Sequence, residues 1–441
     1  MASLKLTSAT LLTMNDALEV IEGDLSIRDG RIAAVGAVDP AWRHDRTLDV
    51  GGAIVVPGFI QTHVHLCQTL FRGLADDLPL MAWLRERVWP LEAAHDRRSL
   101  AAAARLAAAE LLLGGTTTAL TMETVHDTDA VFEALAPTGL RAVVGKCLMD
   151  DADGAPARLH EPAGRGLDES AALARRWSGE AGGRLTAAVA PRFAVSCSRE
   201  LLEGAAALAA ATGLLVHTHA SEQQDEVAVV RARTGAANVE YLAQVGLATS
   251  HLCLAHCVWL SDDELALLAG RDVKVLHCPG SNLKLGSGLA PVVEMRRRGI
   301  SVSLGADGGA CNNRLDMFSE MRLAATLQAV RHGPGAVTAR DAVWMATREG
   351  ARALGRSADL GQLTAGYRAD VTVVRRDRVH LAPHADPFSA LVYAAMPSDV
   401  ALTTVDGEVL VEDGVLTRVE LGAVLDEATR QARALAARSG L

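Results

Sequence analysis

Between residues 57 and 360, short apolar runs alternate with alanine-rich stretches, and this alternation constrains the chain more than any other feature. Eight of the runs end near His65, Thr121, Cys147, Pro191, His219, His256, His277 and Asp307. Stretches such as Ser99–Leu113, Arg199–Ala211 and Ser261–Leu268 follow them and read as helices. A short apolar run followed by a helix predicts a βα unit whose strand is covered on both faces. Eight such units predict an α/β fold of the (β/α)8 TIM barrel type. Barrels of that kind place their chemistry at the C-terminal ends of the strands. Five of the eight run ends carry His or Asp.

Outside the centre the pattern changes. Residues 4 to about 56 alternate apolar and polar side chains, and Asp24–Gly36 reads as a hairpin turning at Asp29-Gly30. Ala369–Val374 and Thr404–Val411 repeat the style, the second with an Asp406-Gly407 turn. The two ends predict one small β-sandwich domain, residues 1–56 plus 361–441 with a C-terminal helix. It flanks a barrel of residues 57–360.

Composition excludes several functions. Net charge is −10, with no long run of one sign, which argues against a nucleic-acid or acidic-membrane surface. The seven cysteines are scattered, and no C-x-x-C occurs, so neither a disulfide framework nor a thiolate zinc site is expected. Reduced, buried thiols in a cytoplasmic protein are the expectation. The segment Met1–Met14 lacks the layout of a signal peptide. Ala101–Leu113 is broken by Arg105 and Glu110 and reads as a helix rather than a membrane span.

His63-Val64-His65 closes the first apolar run. Alternate residues on a strand point the same way, so these two imidazoles can converge on one metal ion. A packed histidine pair is the blander reading. Other run ends add His219, in His217-Thr218-His219-Ala220-Ser221-Glu222, then His256, and Asp307 in Gly305-Ala306-Asp307-Gly308. Imidazoles with one carboxylate suit zinc or a similar divalent ion that keeps a position open for water. Such an ion lowers the pKa of its water to roughly 7. Glu222, just past a strand end, is placed to carry protons to a leaving group. His217 and His219 are two apart, so spacing alone leaves either as a ligand.

Together these motifs resemble the amidohydrolase superfamily, in its cytosine/adenosine/guanine deaminase and chlorohydrolase branch. The resemblance is carried by Pro57–His65, His219–Glu222, His277–Leu285 and Leu304–Gly308, in that order, and spans essentially the whole chain. It implies His63, His65, His219 and Asp307 as ligands of one divalent metal, Zn2+ or Fe2+. It implies that Asp307 takes a proton from the attacking water, that Glu222 shuttles protons, and that His256 hydrogen-bonds the hydroxide. His217 becomes a supporting or core histidine, and His277 a structural one. Binuclear relatives use a modified lysine at a strand end. The fourth strand here ends Val189-Ala190-Pro191-Arg192, and Lys146 near the third reads as a packing lysine, so one metal is expected.

Leu70–Leu84 followed by Trp89-Pro90-Leu91-Glu92, with Asn312–Phe318, is similar to methylthioadenosine/S-adenosylhomocysteine and 5′-deoxyadenosine deaminases. That likeness implies that Glu92 binds ribose hydroxyls and that Arg158 meets a homocysteine carboxylate. Gln68, Arg192 and Phe193 depart from it and resemble guanine deaminases; arginine only donates hydrogen bonds and suits a carbonyl oxygen. The implied reaction is hydrolytic deamination of an aminopurine nucleoside by hydroxide held on the metal. A guanine, oxo-purine or pterin aminohydrolase and a triazine-type chlorohydrolase are the alternatives. A non-catalytic barrel is the rival from another class, and the retained ligands argue against it. The expected partner is a small heterocycle, with homo-oligomers an open option. His95, His126 and His160 are expected on the surface, and Cys278 and Cys311 as ordinary buried thiols.

Overall fold

Strands buried on both faces pair in parallel, and the eight apolar runs do so. The structure, a computed structural model, describes residues 3–383 and 385–441. Its barrel strands are β1 (Phe59–His65), β2 (Thr116–Met122), β3 (Arg141–Leu148), β4 (Leu185–Pro191), β5 (Val216–Ala220), β6 (Leu252–His256) and β7 (Lys274–His277). The eighth, β8, comes in two pieces, Val302–Leu304 and Asp307–Gly308. Each strand pairs with the next in order. The first piece of β8 pairs with β7 and the second with β1, so the ring of hydrogen bonds closes. Every residue of β1 and β2 is buried, including Gln61, His63 and His65 of β1 and the four threonines of β2.

Ile60, Leu120, Ala188, Cys253, Ala255 and Leu276 share one apolar cluster. They come from β1, β2, β4, β6 and β7, and strands on opposite sides of a ring meet only through its interior. Ala351, Leu354 and Leu360 join the same cluster. The barrel is therefore filled with side chains away from the strand ends that carry the histidines.

The helices stop and start where their caps dictate. Arg97–Leu113 begins at a reciprocal cap: Asp96 Oδ1 accepts from the Ser99 amide at 2.8 Å, and Ser99 Oγ accepts from the Asp96 amide at 2.9 Å. Ser261 caps Asp262–Gly270 in the same way. The C-terminal helix Leu421–Ser439 packs against Arg97–Leu113.

Both chain ends enter one mixed sheet of nine strands. Leu4–Leu12 pairs with the hairpin strand Val20–Arg28 on one side and with Ile54–Pro57 on the other, and the latter pairs with Val371–Val374. The hairpin turns at Asp29 and Gly30, φ +50° and +74°, as a two-residue turn with Asp-Gly requires. Leu6, Ile27, Val55, Val371 and Leu402 lie in one cluster, so the continuous sheet encloses its own small core. A buried ion-pair network fastens it to the barrel. Arg141, first residue of β3, donates from Nε to Asp370 Oδ2 at 3.0 Å and from Nη2 to Asp406 Oδ1 at 2.8 Å.

No helix among the described residues is long and apolar enough to cross a membrane. His95 departs from expectation. It is buried, Nδ1 on Ser99 Oγ at 2.9 Å and Nε2 on Cys67 O at 3.0 Å, and burial pulls its pKa down to about 4.

Candidate active site

Four strand ends bring four imidazoles and a carboxylate to one point. The ligating atoms of His63, His65 and His219 lie within 4.8 Å of one another, as do those of His63, His256 and Asp307. His65 Nε2 and His219 Nε2 are 3.1 Å apart, and His63 Nε2 and His65 Nε2 are each 3.3 Å from Asp307 Oδ1.

The far side of each ring determines what faces inward. His65 Nδ1 meets the Met122 carbonyl at 2.8 Å, and His219 Nδ1 meets the Arg192 carbonyl at 2.6 Å. A carbonyl only accepts, so each Nδ1 carries the proton and each Nε2 presents a lone pair. Two lone pairs thus face each other at 3.1 Å. Protonating either ring would relieve this in water. Here burial opposes it, holding His65 at a pKa of about 3 and His219 well below the ordinary value. His63 Nε2 is buried without a hydrogen-bond partner. These donors fit a divalent cation among them.

His217 lies behind His63 rather than beside the ligating atoms. Its Nδ1 meets the Thr121 carbonyl at 3.3 Å and its Nε2 meets His63 Nδ1 at 2.6 Å. By the same logic His217 Nδ1 is protonated, its Nε2 accepts from His63 Nδ1–H, and His63 Nε2 is left bare. Lys146 is spent elsewhere: fully buried, it donates to the Val125 carbonyl and, at 2.6 Å, to Glu161 Oε2. His277 is buried at the end of β7 without a protein partner for either nitrogen, and burial lowers its pKa to about 3. Cys278 and Cys311 are buried, and burial pushes both thiols well above their usual range.

Glu222 faces this cluster. Its Oε2 is 3.5 Å from His256 Nε2, and Ser287 Oγ donates to Oε1 at 3.4 Å. Burial raises its pKa to about 7, only partly opposed by His256. The loop carrying it is pinned by Glu226, which accepts from the amides of Ser221 at 3.2 Å and Glu222 at 2.7 Å. Burial works against charge on His256, but Glu222 and Asp307 outweigh it and raise the pKa. Burial also works against the Asp307 carboxylate, but the surrounding histidines, His63 first, hold it well below the usual range. Asn282 Oδ1 accepts from His256 Nδ1 at 2.9 Å, and Ser281 Oγ donates to Asp307 Oδ2 at 2.6 Å.

A narrow cleft opens onto these groups. Leu80, Trp83, Leu84 and Phe193 form its apolar walls; Gln68 and Arg192 are its other polar lining. Glu92 sits buried behind them. Arg192 donates from Nη1 to Glu92 Oε2 at 2.5 Å and from Nη2 to Oε1 at 3.2 Å, while Gln68 Nε2 donates to Oε1 at 3.1 Å. Because the Gln68 nitrogen faces the carboxylate, its oxygen is the free end, buried and without a partner. Arg158 is not brought to the cleft. Its side chain is 51% exposed, donates to the His95 carbonyl at 3.2 Å and stands 3.8 Å from Asp127.

Leu80, Trp83 and Leu84 lie in a stretch whose sequence drew notice only for its likeness to a subgroup; no role was expected of them. The signal available was the apolar block Leu78–Leu84 between Asp77 and Arg85. Ser281 and Asn282 lie inside the His277–Leu285 motif, whose resemblance implies no role for either.

Residues 54–410 match the amidohydrolase family. The chain is 40% identical to a 5-methylthioadenosine/S-adenosylhomocysteine deaminase of Symbiobacterium thermophilum over 94% of each chain. It is 41% identical to a 5′-deoxyadenosine deaminase of Methanothermobacter thermautotrophicus over 95% of this chain and 96% of that one. Among solved structures it is similar to a zinc-bound adenosine deaminase from Xanthomonas campestris, with a TM-score of 0.92, 31% identity and 98% of both chains covered.

Proposed function

This chain belongs to the amidohydrolase family, and on that premise we propose that it hydrolytically deaminates an aminopurine nucleoside of the 5′-deoxyadenosine or methylthioadenosine kind. His63, His65, His219 and Asp307 would hold one divalent ion, zinc by preference for three imidazoles and a carboxylate. When bound, that ion supplies an acidified water.

The observation that carries the reading is the placement of Glu222, which lines the cleft 3.5 Å from His256 and beside Asp307, where burial raises its pKa to about 7. A group that titrates near neutrality both gives and takes protons there. Asp307 accepts the proton of the attacking water. Glu222 protonates the ring nitrogen next to the amino-bearing carbon, which makes that carbon electrophilic. His256 donates from Nε2 to the oxygen that adds. As the C–N bond breaks, the proton taken up by Asp307 passes to the amine, and the proton remaining on the added oxygen returns to Glu222. One water is consumed, and one ammonia and the oxo-purine leave. The apolar walls at Leu80, Trp83, Leu84 and Phe193 face the ring and keep bulk water out.

One observation favours a second reading, an oxo-aminopurine such as guanine. Both oxygens of Glu92 are taken by Arg192 and Gln68, so no free oxygen pair awaits a ribose diol. Ammonia release from 5′-deoxyadenosine, methylthioadenosine, S-adenosylhomocysteine, guanine and a chlorotriazine separates these readings. Turnover of the nucleosides supports the first; turnover of guanine alone supports the second; turnover of neither class defeats both.

A further inference from the structure

Glu320 stands buried on the helix Met317–His332, outside the cleft, and its two carboxylate oxygens hold two different segments of the site. Oε2 accepts from the Gly280 amide at 2.9 Å. The next residue, Ser281, donates to Asp307 Oδ2 at 2.6 Å. Oε1 accepts from Asn312 Nδ2 at 2.8 Å, and the same nitrogen donates to the Ala306 carbonyl at 2.8 Å. Ala306 directly precedes Asp307. Glu320 therefore reaches Asp307 twice, at its side chain through Gly280 and Ser281, and at its backbone through Asn312.

Asp307 needs such support. It lies where β8 breaks, with φ +63°, a left-handed conformation less common than the strand geometry on either side. The approach of Glu320 is also tight. A Cβ at position 280 would stand 2.5 Å from Glu320 Oε1 and 2.7 Å from Asn312 Nδ2, so only glycine admits the carboxylate there.

We propose that Glu320 is a positioning residue for the hydrolytic reaction, aiming the Asp307 carboxylate by clamping it through Gly280–Ser281 on one side and Asn312–Ala306 on the other. Its catalytic consequence rests on the deaminase reading above. A carboxylate is required because both neighbours are donors. E320Q keeps the volume but turns one oxygen into an amide that opposes an N–H.

The test uses the full chain, zinc-loaded for kinetics and cobalt-substituted for visible absorption, as wild type, E320Q, S281A and the double variant. Misaimed reacting groups cost up to about a hundredfold in rate. E320Q is expected to lower kcat tenfold or more, with KM within about twofold and metal content unchanged. The cobalt bands should shift in E320Q and S281A alike, since both release the same carboxylate. The double variant should lose little more kcat than the more damaging single variant alone, because both act along one path. Losses that multiply in full, or cobalt spectra that superimpose on wild type, overturn the proposal. N312A cuts the other arm of the clamp and replaces E320Q if that variant does not fold. If wild type deaminates nothing in the panel, the deaminase reading fails while the cobalt spectra still decide the clamp.

Discussion

Arg192 and Glu92 are joined by two hydrogen bonds, Nη1 to Oε2 at 2.5 Å and Nη2 to Oε1 at 3.2 Å, with both side chains almost wholly buried at the cleft. The carboxylate is thereby committed to the arginine, and the arginine is aimed by it. Specificity and stability meet in this pair.

Removing one partner leaves the other charged, buried and unpaired, which costs roughly 3–5 kcal/mol. Glu92→Ala should lower unfolding stability by about that amount, read from the denaturant midpoint at unchanged slope. The variant E92M/R192M removes both charges and should regain most of the loss, since well-packed apolar replacements of buried pairs are often neutral. A double variant as unstable as E92A would show that the pair's geometry, not its charge balance, is what matters.

Glu222 predicts the pH profile. Its pKa is raised to about 7 by burial, so it remains a proton donor at pH values where an exposed glutamate has already ionised. Activity that needs its proton should be full below that value and fall as pH rises through it. The stability sign is the same: between the unfolded value near 4.5 and about 7 the folded state binds the extra proton, so stability falls as pH rises across that window. Initial rates of kcat/KM between pH 5.5 and 9, roughly the range that brackets this group, give the limb. Glu222→Gln should cost about 10²–10⁴-fold in kcat, the usual worth of a general acid–base group. An unchanged alkaline limb in a variant that still turns over would reassign it to another group.

The barrel was legible because its strands are buried on both faces and advertise themselves as apolar runs; β4 and β6 are the plainest. His63, His65 and Asp307 stood out because a strand end and a two-residue period locate a side chain without tertiary knowledge. Choosing His219 over His217 was beyond spacing, since both share a strand face. The difference lies in the partners: His217 Nε2 is consumed by His63, while His219 Nε2 faces His65. Trp83 and Glu320 were illegible as site residues for another reason. One reaches the cleft from a connecting segment and the other stands outside it on a helix behind β8, and such placements follow from packing between distant elements rather than from local pattern. Arg158 shows the converse. Likeness to relatives implied a substrate contact, whereas its loop directs the side chain toward solvent and the His95 carbonyl.

His217 should affect metal binding without touching the metal. It accepts from His63 Nδ1–H and so fixes the tautomer that bares His63 Nε2. Loss of such an outer partner typically costs 10–100-fold in metal affinity or activity. His217→Phe should weaken zinc binding by about that factor in a chelator competition, while His219→Phe, which deletes a donor atom, should weaken it far more. Equal effects from the two would place His217 among the ligating residues.

Arg141 tests whether the flanking sheet merely accompanies the barrel or is locked to it. The guanidinium is nearly inaccessible and bridges Asp370 and Asp406, so Arg141→Ala strands the buried Asp370 carboxylate, while Asp406 keeps Arg184 and Arg368. The loss should be about 3–5 kcal/mol of stability, the usual cost of stranding buried charge. Arg141 heads β3, at the strand end opposite the one that bears the histidines, so the folded variant should keep its KM and bind zinc as wild type does. Thermal unfolding and steady-state kinetics on the same preparation separate the two effects. A lowered melting temperature with unchanged kinetics would show a purely structural lock. A raised KM in fully folded protein would instead mean that the seam with the flanking sheet is felt across the length of the barrel.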